Sequence, residues 1–572
     1  MKHFSIYITS ALLLSASLTA CSLDEVNYSS LDSDTYFTGE TQYEQLVSEA
    51  YLCMRPLLRI NGPMWYGTDI ITCQGDAVQS AVRTPMNDYT TVGGDEYLAL
   101  WRSCYNLITK INTALDRGAT IPDVSETLKS QRTAELKALR AYAYFTLVEN
   151  FGGVPIILTE SNTPQYSFTR KTEEEVYKQI FQDLNEAEGA LPEKVSSQDF
   201  GRVSKAFAYH LLAKIHLTHF YKQYGDKKND LSQCIAYADK ALALHPLLTT
   251  NAWKTLFGDY SNLKSPVSPN QKNQEIIYSV RYSENQTYNG SWDTEESSWG
   301  NNLYQYFKPE LEKFPCGSVV AGPYWRCQYE YEPTLFYTTL FDDNDIRGSE
   351  TYLQRHIMAA GTDENYPSTK IGDEIIYCPK TALSDKEITN YKAQHPSVLF
   401  VVNPDKYNTY TYNTYTAFPI VWKFYDTGVT EYTNDQRNPK GTRDTYVFRS
   451  AETLLLKAEA LVQQGNGTAA TALINQLRNR AGANTLTTAA TIDDVLDESA
   501  RELFGEANRW MDLKRTGKLF ERAWKYNPWI QKQYTSYTAI SNNNLLRPIP
   551  ITEIANSGIE QNPGYPGSTN SK

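Results

Sequence analysis

The chain is poor in the residue types that usually carry chemistry. Its 572 residues include only eight cysteines, seven histidines and six methionines. No two cysteines stand in a CxxC spacing, which excludes zinc ribbons and dithiol redox motifs. There is no glycine-rich phosphate loop and no GxSxG nucleophile turn. Past the first twenty residues, no stretch approaches the run of about eighteen apolar residues that a membrane span needs. Positive charge is short as well: 54 Lys and Arg face 66 Asp and Glu, for a formal charge of -12. Without basic clusters such a chain repels nucleic acid and anionic lipid, so neither is expected as a partner. What is abundant is tyrosine, 42 residues beside 20 Phe and 10 Trp. A tyrosine offers a flat apolar face and a polar tip, which suits amphipathic ligands.

The first twenty residues have the layout of a secretory signal: Lys2 and His3, an apolar run from Ala11 to Leu14, then small residues. They end Leu18-Thr19-Ala20-Cys21, which resembles the lipobox of bacterial lipoproteins. In that reading Cys21 becomes the acylated N-terminus, and its acyl chains anchor the protein, each buried methylene contributing about 0.8 kcal/mol. An ordinary signal peptide cut after Ala20 is the alternative. The acidic Ser22-Leu23-Asp24-Glu25 looks like the tag that exports some Bacteroidetes lipoproteins to the cell surface. Processing leaves about 550 residues, enough to predict more than one lobe.

Two kinds of territory follow a short linker (21–40). Residues 41–261 are mainly helical. Leu136, Leu139, Ala143 and Leu147 recur at helical spacing until Gly152-Gly153, before an extended Val154-Pro155-Ile156-Ile157. A helix over 173–191 is read from Val176, Ile180, Leu184 and Ala187. A pair over 203–220 and 231–244 carries Ala206, Ala213, Ala236 and Ala241 as small contact positions. Another pair begins near Leu454, turns at Gly465-Asn466-Gly467 and returns through Ala472, Ile474 and Leu477. Such pairs look like tetratricopeptide hairpins, although the spacing is irregular. The fold class expected is mainly α: a helical-hairpin scaffold over 41–261 and 452–572, with an irregular loop-rich lobe over 262–451 carrying a few short strands. That lobe is rich in Pro, Gly, Asn, Ser and Tyr, as functional loops tend to be. Within it, Tyr407 to Tyr415 partly alternates and suggests a strand or hairpin, and residues 281–331 hold twelve aromatics, about twice the 13% average of the chain.

Several motifs, in order, resemble the SusD/RagB family of Bacteroidetes outer-membrane lipoproteins. They are Glu135-Leu-Lys-Ala-Leu-Arg-Ala-Tyr-Ala-Tyr-Phe-Thr-Leu147 with Phe151-Gly-Gly-Val-Pro155, then Gly201-Arg-Val-Ser-Lys-Ala206, then the segment from Tyr446 through Ala460. Ile474-Asn-Gln-Leu-Arg-Asn-Arg-Ala-Gly482, the run from Glu498 to Arg515, and Leu546-Arg-Pro-Ile-Pro550 with Gln561-Asn-Pro-Gly-Tyr565 complete the set. Ser450 is a minor departure, standing where many relatives carry an apolar residue. The resemblance implies a surface lipoprotein that docks as a lid on a SusC-like TonB-dependent transporter and captures oligosaccharides without breaking them. A peptide-capturing relative is the alternative within the family, and a surface glycoside hydrolase the alternative outside it. Candidate sugar platforms are Trp65 and Tyr66 in an early loop, and Trp292, Trp299, Tyr324 and Trp325 in the lobe. Core packing is the competing explanation for each. Trp101 reads as a scaffold residue.

The remaining candidates for chemistry read as structural, and no cofactor, metal or catalytic residue is expected. Glu498, Glu502 and Glu506 recur on one helix, but carboxyls at i and i+4 project the same way, whereas glycoside cleavage needs them on opposite sides of the bond. With Arg501, Arg509, Asp512 and Arg515 they read as one ion-pair network along a helix face. The segment Phe341-Asp-Asp-Asn-Asp-Ile-Arg347 lacks the glycine and terminal glutamate of a calcium loop. His216 and His219 have no carboxylate near them in sequence and read as packing residues. Cys316 and Cys327 are a disulfide candidate, with free buried thiols the equal alternative.

Overall fold

The computed structural model describes residues 36–60, 62–73, 85–90, 95–161, 163–262, 265–285, 300–301, 303–318, 331–428, 441–506 and 508–568. The helical scaffold begins with α1 (Glu40–Leu52), α2 (Met54–Arg59) and α3 (Gly62–Trp65). It continues through α4 (Asp95–Thr120), α5 (Glu126–Phe151), α6 (Glu173–Glu188), α7 (Lys205–Tyr221), α8 (Asp230–Leu244) and α9 (Ala252–Phe257). Neighbours pack as hairpins, α4 on α5, α5 on α6 and α7 on α8, the tetratricopeptide-like arrangement expected. Local chemistry sets the ends. Ser125 caps α5 by accepting from Leu128 N at 3.2 Å, and Thr172 and Glu175 form a reciprocal capping box on α6. After α5 the chain turns at Gly152, whose φ of 72° disfavours any side chain, and a Cβ on Gly153 would lie 2.0 Å from Lys171 O. Val154 to Ile157 runs on without ladder pairing. It is tied instead by side chains, with Tyr144 Oη donating to Ile157 O at 2.8 Å.

The lobe holds short helices, α10 (Leu303–Tyr306), α11 (Leu335–Thr339) and α12 (Asp385–Gln394), among short strands. Strand β1 (Ile71–Cys73) pairs antiparallel with β3 (Tyr331–Pro333), and β2 (Ile276–Val280) pairs with β9 (Thr445–Arg449). Strands β4 (Leu353–Gln354) and β8 (Ile420–Val421) form a third ribbon, and β5 (His356–Met358), β6 (Glu374–Tyr377) and β7 (Phe400–Val401) a small mixed sheet. The 407–415 segment makes no strand: Tyr407 is buried and only Tyr412 bridges Tyr415. Its alternating residues fold over a lobe core of Phe314, Ile357, Ile376, Phe418 and Trp422, rather than along a partner strand.

The scaffold resumes directly from β9 with α13 (Ser450–Gln463), α14 (Gly467–Ala481), α15 (Ile492–Leu503), α16 (Arg509–Arg515), α17 (Leu519–Tyr526), α18 (Pro528–Gln533) and α19 (Ile551–Ser557). Its first pair confirms the turn at Gly465 to Gly467. Two contact positions shift, however: Ala470 rather than Ala472 is buried, and Ala238 rather than Ala236 on α8. Residues two apart on a helix point to opposite faces, so Ala470 continues the spacing of Ile474 and Leu477, and Ala238 that of Cys234 and Ala241. The main core runs from Tyr43 to Ile559 and takes in Tyr278, Tyr306 and Phe424 of the lobe.

Candidate functional site

Strand pairing gathers the stems of the aromatic-rich segments. In the β1–β3 ribbon Cys73 lies opposite Tyr331, so segments 74–84 and 319–330 leave the described fold from adjoining residues. Asn301 bridges Gly441 in the same way, joining the stems of 286–299 and 429–440. Trp292, Trp299, Tyr324 and Trp325 fall on these segments and lie outside the described residues, as do Cys21 and Cys327.

Trp65 and Tyr66 do not form an open platform. They are 3% and 0% exposed, because α3 places them under the stems. Trp65 packs on Phe307 and Tyr331 with centroids 5.3 and 5.0 Å apart, and Tyr66 lies 4.9 Å from Tyr331. Buried to that degree, neither ring has a face open to a sugar, so the pair is an aromatic floor beneath Tyr331 rather than a platform. Trp101 is buried against Phe151, as expected of a scaffold residue. A partly exposed ring near the ribbon that the sequence reading did not single out is Trp529. Partly exposed on α18, it donates from Nε1 to Cys73 O at 3.3 Å, at the mouth of the ribbon, with Lys532 Nζ 4.1 Å from its ring. It stands some 200 residues beyond the 281–331 stretch, in a second aromatic run with Phe520, Trp524, Tyr526, Tyr534 and Tyr537, whose density could have marked it.

The acidic run is not one helix-face network. Helix α15 ends at Leu503, and Gly505, with φ of 71° and no room for a Cβ beside Phe424, redirects Glu506 off the helix. Three separate clusters result. In the first, Glu498 and Glu502 meet Arg347 at 2.6 and 3.0 Å, Glu502 also meets Arg449 at 2.8 Å and Arg480 at 2.5 Å, and Glu275 pairs with both of the latter arginines. Asp345 pairs with Arg347 from the turn that carries it, and Glu506 holds Arg449 at 2.7 Å and Lys423. In the second, Arg509 turns away to Asp69 at 2.7 Å, which it shares with Arg522. In the third, Arg515 pairs with Asp512 and Glu459, both at 2.8 Å. Burial pushes the Glu502 carboxyl up, but Arg480, Arg449 and Arg347 outweigh it and hold the group below the ordinary range. Burial works against Lys423 too, lowering it to about 8 despite Glu506.

The other polar candidates are likewise occupied. Asp345 caps Arg347 N, Asp342 accepts from Asn484 N at 2.8 Å, and Asp343 pairs with Lys380. His216 and His219 do have a carboxylate: their Nδ1 atoms lie 2.8 and 2.7 Å from the buried Asp230 of α8. Because helix pairing brings in Asp230, residues 216–219 could not reveal it locally. Cys316 is a buried thiol.

With this geometry in view, comparison with known proteins is direct. A profile described as the SusD family matches residues 270–565, and another, described as "Starch-binding associating with outer membrane", matches residues 22–217. The chain is 26% identical over 457 residues to SusD-like protein P38 of Formosa agariphila, covering 76% of this chain and 75% of the relative. It is 26% identical over 489 residues to starch-binding protein SusD of Bacteroides thetaiotaomicron, covering 80% and 76%. Among solved structures, a laminarin-binding SusD-like protein superimposes with a TM-score of 0.65 at 24% identity, covering 92% of this chain and 100% of the other. Surface glycan-binding protein A from Bacteroides thetaiotaomicron in complex with laminarihexaose does so at 0.64 and 19% identity, with the same coverage. The motifs, the fold and the profile spanning more than half of the chain agree: this protein belongs to the SusD family.

Proposed function

We propose that the protein captures oligosaccharides at the cell surface and delivers them, unbroken, to a SusC-like TonB-dependent transporter. The observation that carries this reading is membership of the SusD family, shown by the profile over residues 270–565; Trp292, Trp299, Tyr324 and Trp325 are its sequence-based candidate platforms. Sugar rings present C–H patches that pack on such side chains, while rim groups hold their hydroxyls. Relatives named for starch, laminarin and glycan binding support the ligand class. The Cys21 lipidation signal supports anchoring, and the family description supports the outer membrane. Capture without cleavage is supported by the acidic run, whose carboxylates are each committed to arginine or lysine partners.

Isothermal titration calorimetry against a panel of neutral oligosaccharides and peptides tests the reading. Saturable heat from at least one glycan is expected, with no product on prolonged incubation. Heat from peptides alone would replace the ligand class, and any turnover would replace capture by catalysis. Cys21→Ala is expected to move the protein from the membrane to the soluble fraction.

A further inference from the structure

Away from the lobe stems, a groove of about 260 Å³ opens between the C-terminal part of α1 with α2, the 198–202 loop and the edge of β2. Its walls carry Tyr51, Arg55, Phe200 and Arg202, and its floor is β2 running into Arg281. Gly201 sets its shape: φ there is 99°, and a Cβ would lie 2.6 Å from Arg281 Cγ.

The three arginines are not equivalent. Arg202 is satisfied by Glu44 at 2.6 Å and Glu135 at 3.1 Å. Arg281 Nε stands 2.7 Å from Asp444. Arg55 has no carboxylate within ion-pair distance among the described residues. Its Nε and Nη2 both donate to a single carbonyl, Arg281 O, at 3.1 and 2.8 Å, and its guanidinium carbon lies 4.8 Å from the Tyr282 ring centroid. A half-buried guanidinium with an unused donor edge is a carboxylate receptor in waiting, because its planar fork matches a carboxylate's two oxygens. A second polar group is left unpaired in the strand that floors the groove. Ser279 is 1% exposed, and its Oγ makes no hydrogen bond. Buried hydroxyls are normally paired.

The surroundings narrow the ligand. Asp199 lines the groove and stands 3.4 Å from Arg202, so a monoanion is opposed less there than a dianion such as phosphate. An ion the size of acetate would leave most of the volume empty. Ser48 and Gln198 stand exposed on the rim, where hydroxyls of a ring would meet them. We propose that this groove is a second ligand site, which takes a carboxylate-bearing sugar unit of the uronic acid class with its carboxylate on Arg55.

The purified protein is titrated calorimetrically with sodium glucuronate, glucose, acetate and sulfate. Glucuronate is expected to bind and glucose to give no heat, with acetate and sulfate weaker than glucuronate by at least about tenfold. Arg55→Gln should weaken glucuronate at least about tenfold, and Ser279→Ala about threefold, with both variants still folding cooperatively and melting within a few degrees of the parent. Equal binding of glucose, acetate or sulfate overturns the proposal, as does undiminished glucuronate binding by Arg55→Gln. A crystal grown with glucuronate gives an independent reading: density for its carboxylate at Arg55 supports the site, and density only elsewhere overturns it. Neutral-glycan binding at the lobe is measured separately in the same variants, so failure here and failure of the capture reading are distinguishable.

Discussion

The α15 junction and the groove beside α2 bury arginine on opposite terms. In the junction Arg347 is wholly enclosed, yet it meets Asp345, Glu498 and Glu502 together. In the groove Arg55 is only half enclosed, yet it meets a carbonyl and a ring. The difference separates structure from recognition. Charges that close on one another hold elements together and leave nothing for a ligand, whereas an unmatched donor at the edge of a cavity does the reverse. The aromatic rings divide the same way: Trp65 is locked among rings in the floor, and Trp529 stands at the mouth.

The sharpest way to break this contrast is Glu502→Gln. It leaves Arg347, Arg449 and Arg480 short of a buried counter-charge, and a loss of about 3–5 kcal/mol is expected in urea unfolding. A loss below about 1 kcal/mol would mean that the junction is not the clamp described. Trp65→Ala should rank close behind, at about 3–5 kcal/mol, because it empties the floor. Glycan binding by a folded Trp65→Ala chain would then fall through loss of the floor rather than of a stacking face. Trp325→Ala is its counterpart, weakening neutral-glycan binding at an unchanged melting temperature.

Acid should act on the closed clusters next. Burial pushes the Asp69 and Glu149 carboxyls up, but Arg509 and Arg522 in one case, and Lys222 and Lys514 in the other, outweigh it and hold each at about 2. Depressed carboxyls favour the folded state above their unfolded pKa. Their contribution, about 2–3 kcal/mol each, is therefore full above pH about 4.5 and is lost as pH falls toward about 2. Asp69→Asn should flatten that part of the stability profile measured by urea unfolding across pH. The smallest effect expected is from Arg55→Gln, about 1 kcal/mol, since hydrogen bonds to Arg281 O are lost but no ion pair is. A large destabilisation there would place Arg55 with the closed clusters and end the comparison.

Much of the scaffold was legible before any coordinates. The helices over 173–188 and 205–221, and the turn at Gly465 to Gly467, follow from apolar spacing and glycine alone, because a helix repeats its face every 3.6 residues whatever it packs on. The ordered motifs likewise carried the family. The candidate site was legible only in part: the sequence marked an aromatic-rich region, but ring exposure is not a local property. Trp65 is covered by Tyr331, more than 260 residues away, and Trp529 reaches the mouth only through its bond to Cys73. Partner choice among charges was decided in the same way. Glu506 was expected to pair with Arg509, three residues on, but it joins Arg449 and Lys423, because Gly505 ends the helix and β9 delivers Arg449 to that point. Periodicity and composition act within one element, and so the sequence by itself determined the helices and the family. Which rings are covered, and which arginine is left without a carboxylate, depends on distant elements meeting, and only the tertiary structure decided that.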